Sequence, residues 1–499
     1  MNAAIPLRPA SLGRVADTTV DGAAIELPRY PRGLQRRICH IGVGGFHRAH
    51  QALVLHRLLQ QGRGEGWGIC GIGLRESDRA IHQALRAQDG LYSLWEVEGD
   101  TRRVTVVGSI MDHVDASADS AAAIAMMSDN ITSIVSLTVT EAGYCLDGKG
   151  ALDAEHPDIV HDLAHPARPR SAPGLIVAAL AARRALGRGA FTLMSCDNLI
   201  ENGQRLRSAV LGLAQLHDPA LAAWIADSAS FPCSMVDRIT PAADPVRNQR
   251  LCRDWGVQDQ ALVMCEPWLQ WVMEDHFVAG RPAFEEAGVV FSDQVRRYEE
   301  MKVGLLNGGH SALAQLGLLR GYQRVHDALA DPLIRRWHAG YMQEVAAVLP
   351  PLAGMDFAAY QASLTQRFLN AALDDRLLRL AMDSSAKFPQ VLLPPLLRRL
   401  DAALPVTHLA TAIALWITYL AGLEHDAAGR QAYVDRDRDG LIAMAVATQT
   451  QDSAAAFLAV TLPLPASHAV HFGTAVDAQL RSLRRVGLAG HLQALQPAA

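Results

Sequence analysis

A chain of 499 residues, 50% hydrophobic and 19% charged, has the composition of a globular protein and exceeds what one core usually fills, so two domains are expected. The net charge of -5 comes from interspersed charges with no long basic stripe, which argues against a nucleic-acid partner. Seven scattered cysteines (Cys39, Cys70, Cys145, Cys196, Cys233, Cys252, Cys265) include no C-x-x-C pair, so they give neither a disulfide framework nor a thiolate zinc site, and they fit a reducing compartment.

The N-terminal run MNAAIPLRPASLGRV lacks the apolar core of a secretory signal. The most apolar stretch, 409–423, is shorter than the ~20 residues a bilayer requires. A cytoplasmic protein with a buried helix at 409–423 and no membrane partner is the expectation. The first ~30 residues, rich in Pro, Arg and Ala, read as an extended arm that packs on the surface or is partly disordered.

Short β-rich runs then alternate with helical patterns, at 38–43, 68–74, 104–110, 133–140, 191–196 and 231–236. That alternation predicts a mostly parallel sheet flanked by helices, an α/β Rossmann-type N-terminal domain. Past 295 the pattern changes to Leu/Ala-rich segments of helical period, such as 301–321, 357–381 and 406–422, which predict a mostly α-helical C-terminal domain. The boundary falls within 284–297, giving domains 1–290, with the N-terminal arm, and 291–499.

The stretch Ile41-Gly42-Val43-Gly44-Gly45-Phe46, with Arg48 on the helix after it, is the candidate cofactor-binding loop. After a strand, such a turn lets backbone N–H groups meet a pyrophosphate, because glycine has no Cβ at the closest approach. The third glycine of G-x-G-x-x-G would fall at His47, so the fingerprint is broken, and a ligand-free tight turn fits the same residues. After the second strand, Arg75-Glu76-Ser77-Asp78 offers Asp78 or Glu76 to the ribose 2′-hydroxyl, which favours NAD; Arg75 keeps NADP as the lesser alternative.

The segment Tyr298-Glu299-Glu300-Met301-Lys302-Val303-Gly304-Leu305-Leu306-Asn307-Gly308-Gly309-His310 carries a second signal. At about 100° per residue, Lys302, Asn307 and His310 share a helix sector of roughly 140°. Three glycines inside a helix each cost about 1 kcal/mol against alanine, which close approach of a ligand or another backbone would offset. A solvated lysine, a capping asparagine and a core histidine would share the face equally well. Read functionally, an alcohol oxidation needs a base for the hydroxyl proton and donors for the developing alkoxide. Lys302 supplies the base if burial lowers its pKa, Asn307 and His310 supply the donors, and Glu299 offers a proton path to water.

With these residues in hand, the chain resembles the polyol-specific long-chain dehydrogenases, the mannitol dehydrogenase family. HIGVGGFHRAHQ at 40–51, SLTVTEAGY at 136–144, MSCDN at 194–198, MVDRITP at 235–241, CEPW at 265–268, YEEMK at 298–302, LLNGGH at 305–310 and SSAKFPQ at 384–390 fall in the family's order. The resemblance implies metal-independent hydride transfer between NAD and a linear polyol, D-mannitol and D-fructose in the nearest branch, in a cleft between the two domains. It implies Lys302 as general base, Asn198 and Asn307 as alkoxide donors, and His310 as the group that orients and polarises the carbonyl. Asp237, Arg379 and Lys387 are implied as polyol-binding residues and Asp78 as the acidic cofactor position. It also implies that a monomer can suffice.

Two positions depart from the family pattern. Gly309 stands where serine is frequent, which leaves room for a wider pocket, and Asn370-Ala371 stands where Asn-Pro is expected. A fructuronate or tagaturonate reductase and a D-arabinitol dehydrogenase share the motifs, and a uronate would need an extra cation. A catalytically inactive NAD-binding sensor is the alternative of a different class. For a catalytic metal the nearest histidines, His47 and His50, lack a matching Cys or Glu cluster and read as exposed or capping residues, so no metal is expected.

Overall fold

The strand predicted at 38–43 starts two residues earlier, as β1 (Arg36–Ile41), and its last four residues are buried. Burial without alternation marks a central parallel strand covered on both faces. In the computed structural model, which describes residues 4–495, the next principal elements are α1 (Gly45–Ala49), α2 (Gln51–Gln60), β2 (Trp67–Gly73) and α3 (Arg79–Ala87). After them come β3 (Tyr92–Glu98), β4 (Thr101–Val107), β5 (Ile110–Asp115), α4 (Ser120–Ser128), β6 (Thr132–Leu137), α5 (Ala172–Ala185), β7 (Thr192–Ser195) and α6 (Asn202–His217). The chain continues through β8 (Ser234–Asp237), β9 (Val263–Cys265) and β10 (Gln270–Met273), and divides into two units between Arg296 and Arg297.

Five parallel strands lie in the order β7-β6-β1-β2-β5, the Rossmann-type sheet expected. The chain moves outward from β1 through β2 to β5, then returns to the other side of β1 for β6 and β7. Loops leaving β1 and β6 therefore diverge, and open parallel sheets bind ligands at such a switch point. One core packs Leu175 and Leu180 of α5 and Leu206 and Val210 of α6 with Ile41 and Leu137 of the sheet. The other packs Leu55 and Leu58 of α2 and Leu85 of α3 with Ile38, Ile69 and Ile134.

Two of the predicted runs do not join that sheet as read. The run 104–110 breaks at Gly108: β4 pairs antiparallel with β3 in a side sheet, and only β5 enters the parallel one. A Cβ at Gly108 would lie 3.2 Å from Pro28 and 3.3 Å from Leu91, so the chain turns there in a crowded place. The run 231–236 becomes β8, which pairs antiparallel with β10 in a separate three-stranded sheet. The N-terminal arm is pinned over its described residues, with Ile5 paired to Val257, Leu7 and Val15 buried, and the Trp255 indole donating to Thr18 at 2.9 Å.

The second unit is built of helices. They include α7 (Val295–Lys302), a π-helical turn at Val303–Asn307, α8 (Gly308–Leu319), α9 (Pro332–Ala346), α10 (Phe357–Phe368), α11 (Leu377–Ala381), α12 (Ser384–Val391) and α13 (Thr407–Gly422). The single helix expected over 357–381 is broken into α10 and α11. Asn370 caps the Ala372 N–H at 3.2 Å, and Asp374 takes a left-handed conformation, φ 54°. Asn370 thus performs the turn without the proline expected after it. The apolar stretch at 409–423 lies largely in α13, where Leu409, Ile413, Leu415, Trp416 and Leu420 are buried. No helix among the described residues is long and apolar enough to cross a membrane.

Candidate active site

Gly42 follows β1 with φ +89°, and a Cβ there would run into the Thr138 carbonyl oxygen just past β6. Only glycine lets the first turn pass this close to the neighbouring loop. At Gly44, by contrast, a Cβ would meet nothing within 4 Å, so the backbone faces open space of the kind a pyrophosphate needs. The helix does not run on unbroken: α1 ends at Ala49, and His50 (φ -121°, ψ -91°) separates it from α2.

Arg48 is buried. Its guanidinium donates to the Gly44 carbonyl at 3.3 Å and to the Ala261 carbonyl, and stacks over Tyr92. It braces the loop by tying Gly44 to Ala261. Asp78 Oδ2 accepts the Leu74 and Arg75 N–H groups, each at 2.9 Å, which fixes the carboxylate at the end of β2. His47 and His50 are buried, not exposed as the sequence also allowed; His50 does stand at the cap position between α1 and α2, without a side-chain cap bond. His47 stacks on His40 with ring centroids 3.5 Å apart, and His50 stacks on Phe46 and bonds the Gln270 carbonyl at 3.2 Å. Burial holds His47 well below the usual histidine range and His40 at about 3.

Polar groups gather at the ends of β6 and β7. The buried Asp197 carboxylate accepts the Thr140 N–H at 2.8 Å, the Val139 N–H at 3.1 Å and the Tyr144 hydroxyl at 2.8 Å. Burial raises its pKa, opposed by those three donors. Thr140 has φ 64° and ψ 169°, a region nearly reserved for glycine that costs a β-branched residue about 1–3 kcal/mol. Asn202 uses its whole amide: Nδ2 donates to the carbonyls of Ser195 (3.3 Å), Asp197 (3.1 Å) and Ser234 (2.7 Å), and Oδ1 accepts the Ser234 N–H at 2.9 Å. Asn198, next along the chain after Asp197, is exposed. Asp237 closes β8, buried, with the Trp268 indole donating to it at 3.1 Å.

In the second unit, Lys302 ends α7 and is 6% exposed; Glu299, one turn earlier, is 4% exposed. The π turn then bonds the Gly308 N–H to the Val303 carbonyl, five residues back. It inserts a residue between Lys302 and Asn307, so the 100° step of a regular helix does not carry across the segment. Helix α9 fills the space beside all three glycines. A Cβ at Gly304 would meet Val345 at 2.9 Å, one at Gly308 would meet the Tyr341 hydroxyl, and one at Gly309 would meet His338 Nε2 at 3.0 Å and Met342 Sδ at 3.1 Å. The room expected at Gly309 is therefore occupied by α9, which corrects the reading of a wider pocket.

His310 stacks on Phe368 at 3.9 Å and is held well below the usual histidine range, first by burial and then by Arg379, Arg367 and His338. Arg379 grips Asp375 through Nη2 at 2.8 Å to both oxygens, with the rest of its side chain half exposed. Lys387 Nζ donates to the Met382 carbonyl at 2.5 Å and the Leu380 carbonyl at 3.3 Å, tying down the turn after Arg379. Burial lowers its pKa.

Sequence reasoning passed over Asp197, Tyr144, Asn202 and His338. The signal for the first was a carboxylate directly after the apolar run 191–196, a costly place unless hydrogen-bonded. Among the described residues the one Cys/His/Asp/Glu group close enough to hold a metal ion is Cys145, His156 and Asp158. There His156 Nδ1 already accepts the Asp158 N–H at 3.2 Å, and burial raises the Cys145 thiol to about 11, so the donors are poorly set for an ion.

The family profile for the mannitol dehydrogenase Rossmann domain matches residues 36–286, and that for the mannitol dehydrogenase C-terminal domain matches residues 294–469. The chain is 45% identical over 401 residues to a mannitol 2-dehydrogenase of Cereibacter sphaeroides, covering 80% of this chain and 84% of that protein. It is also 45% identical over 395 residues to the D-mannonate oxidoreductase of Escherichia coli K12, covering 78% and 81%. The solved structure of Pseudomonas fluorescens mannitol 2-dehydrogenase in ternary complex with NAD and D-mannitol is 39% identical, with a TM-score of 0.84 over 98% of this chain and 99% of that one.

Proposed function

The chain belongs to the mannitol dehydrogenase family, and on that premise we propose that it is an NAD-dependent polyol dehydrogenase interconverting D-mannitol and D-fructose, without a metal ion and with Lys302 as general base. The observation that carries this is the buried Lys302, 6% exposed, placed directly before a π turn that leads to Asn307 and His310.

NAD supplies the hydride acceptor. The turn formed by Ile41, Gly42, Val43, Gly44, Gly45 and Phe46 holds the pyrophosphate, braced by Arg48, and the Asp78 carboxylate receives a ribose hydroxyl and repels a 2′-phosphate. Lys302 takes the substrate hydroxyl proton, a step that needs its amine in the neutral form. Glu299 passes the proton onward. Asn198 and Asn307 donate to the developing alkoxide, the charge-stabilising task a metal performs in other dehydrogenases. His310 acts as a neutral imidazole that polarises the carbonyl, because burial and Arg379 keep it unprotonated. Asp237, Arg379 and Lys387 bind the remaining hydroxyls.

A second reading is favoured by one observation: the D-mannonate oxidoreductase is as similar to this chain, at 45% identity, as the mannitol enzyme. A uronate reductase would use the same lysine chemistry, with the cations near His310, Arg367 and Arg379, receiving a carboxylate.

Replacing the base tests the proposal. Lys302→Ala is expected to lower turnover at neutral pH by about 10³-fold or more while NADH still binds with near-normal affinity by fluorescence titration. Unchanged turnover would remove Lys302 from the mechanism.

A further inference from the structure

A threonine with φ 64° and ψ 169° does not stay there unless its surroundings hold it: its carbonyl accepts the Gly143 N–H at 3.0 Å, and its own N–H is held by a buried carboxylate. Asp197 takes hydrogen bonds from two consecutive backbone N–H groups, Val139 and Thr140, and from the Tyr144 hydroxyl. All three partners are donors, so an ionised acid satisfies them and an amide, with its own N–H₂, does not. The carboxylate is itself fixed, since Asn202 ties the backbone of Ser195 and Asp197 to Ser234 of β8. Its hydrogen bonds secure the loop leaving β6, whose Thr138 carbonyl closes on Gly42, and Asn198 is its immediate neighbour in the chain.

We propose that Asp197 is a positioning residue: its carboxylate clamps Thr140 in the glycine-like conformation and so sets both the 138–141 loop beside the Gly42 turn and the Asn198 amide for hydride transfer. This rests on the dehydrogenase reading above. In this role the carboxylate acts through the backbone it holds.

The test uses the full-length enzyme and three variants: Asp197→Asn, Thr140→Gly and the double variant. Asp197→Asn is expected to lower kcat by about 10²-fold, as a misplacement of roughly 1 Å does, with NADH affinity changed less than about threefold. Glycine adopts the Thr140 conformation unaided. The double variant is therefore expected to recover about tenfold or more of the lost kcat, which a general loss of packing at Asp197 would not allow. Hydrogen exchange at the amides of residues 139 and 140 should speed up in Asp197→Asn and stay fast in the double variant, which regains the conformation without the carboxylate's hydrogen bonds.

Wild-type kcat in Asp197→Asn, or a loss that Thr140→Gly does not relieve, overturns the clamp. If Asp197→Asn does not fold, Tyr144→Phe, which removes one of the three donors, is read instead: a several-fold fall in kcat relieved by Thr140→Gly supports the clamp, and no fall, or no relief, overturns it. Wild-type enzyme without turnover on any polyol or ketose would instead end the dehydrogenase reading, a separate outcome that leaves the exchange pattern to report whether the carboxylate holds the loop.

Discussion

At the ends of β6 and β7 in the first unit, polar groups are fixed by hydrogen bonds to Asp197 and Asn202, whereas around the π turn of the second the chain is fixed by glycines pressed against α9. At the ends of β6 and β7 the positioning energy is electrostatic and local, carried by a buried charge with three donors. Around the π turn it is steric: Gly304, Gly308 and Gly309 admit Val345, Tyr341 and His338, so the segment bearing Asn307 and His310 is shaped by a neighbouring helix. The difference teaches where each half is vulnerable. Removing a charge should disturb the first, and adding a methyl group should disturb the second.

The largest expected effect breaks the comparison from the glycine side of the first unit. Gly42→Ala places a Cβ against the Thr138 carbonyl at φ +89°, so NADH affinity should fall by about 10²-fold and the melting temperature should drop with it. Retained NADH binding in a titration would show that the turn yields more readily than the geometry implies.

Acid stability comes next. His40 is held at about 3, and His56, His113 and His338 at about 4, in each case chiefly by burial. An unfolded histidine titrates near 6.5, so below that pH the unfolded chain binds more protons than the native one and stability falls as pH falls. Each such histidine costs about 1.4 kcal/mol per pH unit between roughly 6.5 and its folded pKa. Thermal melts from pH 8 to pH 5 should show a steep decline below pH 6; a flat profile would mean that these histidines take up protons without unfolding.

The pH dependence of catalysis sharpens the roles in the second unit. Polyol oxidation should rise about tenfold per pH unit below the apparent pKa of Lys302, and ketose reduction, which needs the ammonium, should fall above it. No second inflection near 6.5 is expected, because His310 stays neutral. Reduction that climbs steadily from pH 6 to pH 9 would contradict the base.

The smallest effect concerns Gly309. Serine there must fit against His338 Nε2 at 3.0 Å and Met342 Sδ at 3.1 Å, so Gly309→Ser should cost about 1–2 kcal/mol of stability and change kcat several-fold, leaving the order of substrate preference intact. A changed preference with an unchanged melting temperature would restore the pocket reading.

The parts legible in the sequence are those where backbone geometry demands a residue type. The strand–glycine turn at Gly42 and the buried runs of β1 and β2 could be read because a parallel sheet leaves few alternatives there. The split of 104–110 at Gly108 could not, since the residues that crowd it, Pro28 and Leu91, are distant or obey no period. The π turn escaped because an inserted residue leaves the apolar pattern almost unchanged while shifting every later side chain. His47 and His50 were misread as exposed because their burial depends on His40, Phe46 and Gln270, contacts that only the folded chain supplies. Asp197 came after an apolar run and drew no attention, yet its carboxylate accepts two consecutive backbone N–H groups and the Tyr144 hydroxyl.

The most direct test of the central claim is a steady-state scan of purified enzyme, measuring NADH oxidation with fructose, fructuronate and xylulose, then repeating it with NADPH and after treatment with a chelator. Fastest turnover with fructose and NADH, unchanged by the chelator, is the predicted result. Turnover that prefers fructuronate, or that the chelator abolishes, would contradict a metal-independent mannitol–fructose enzyme.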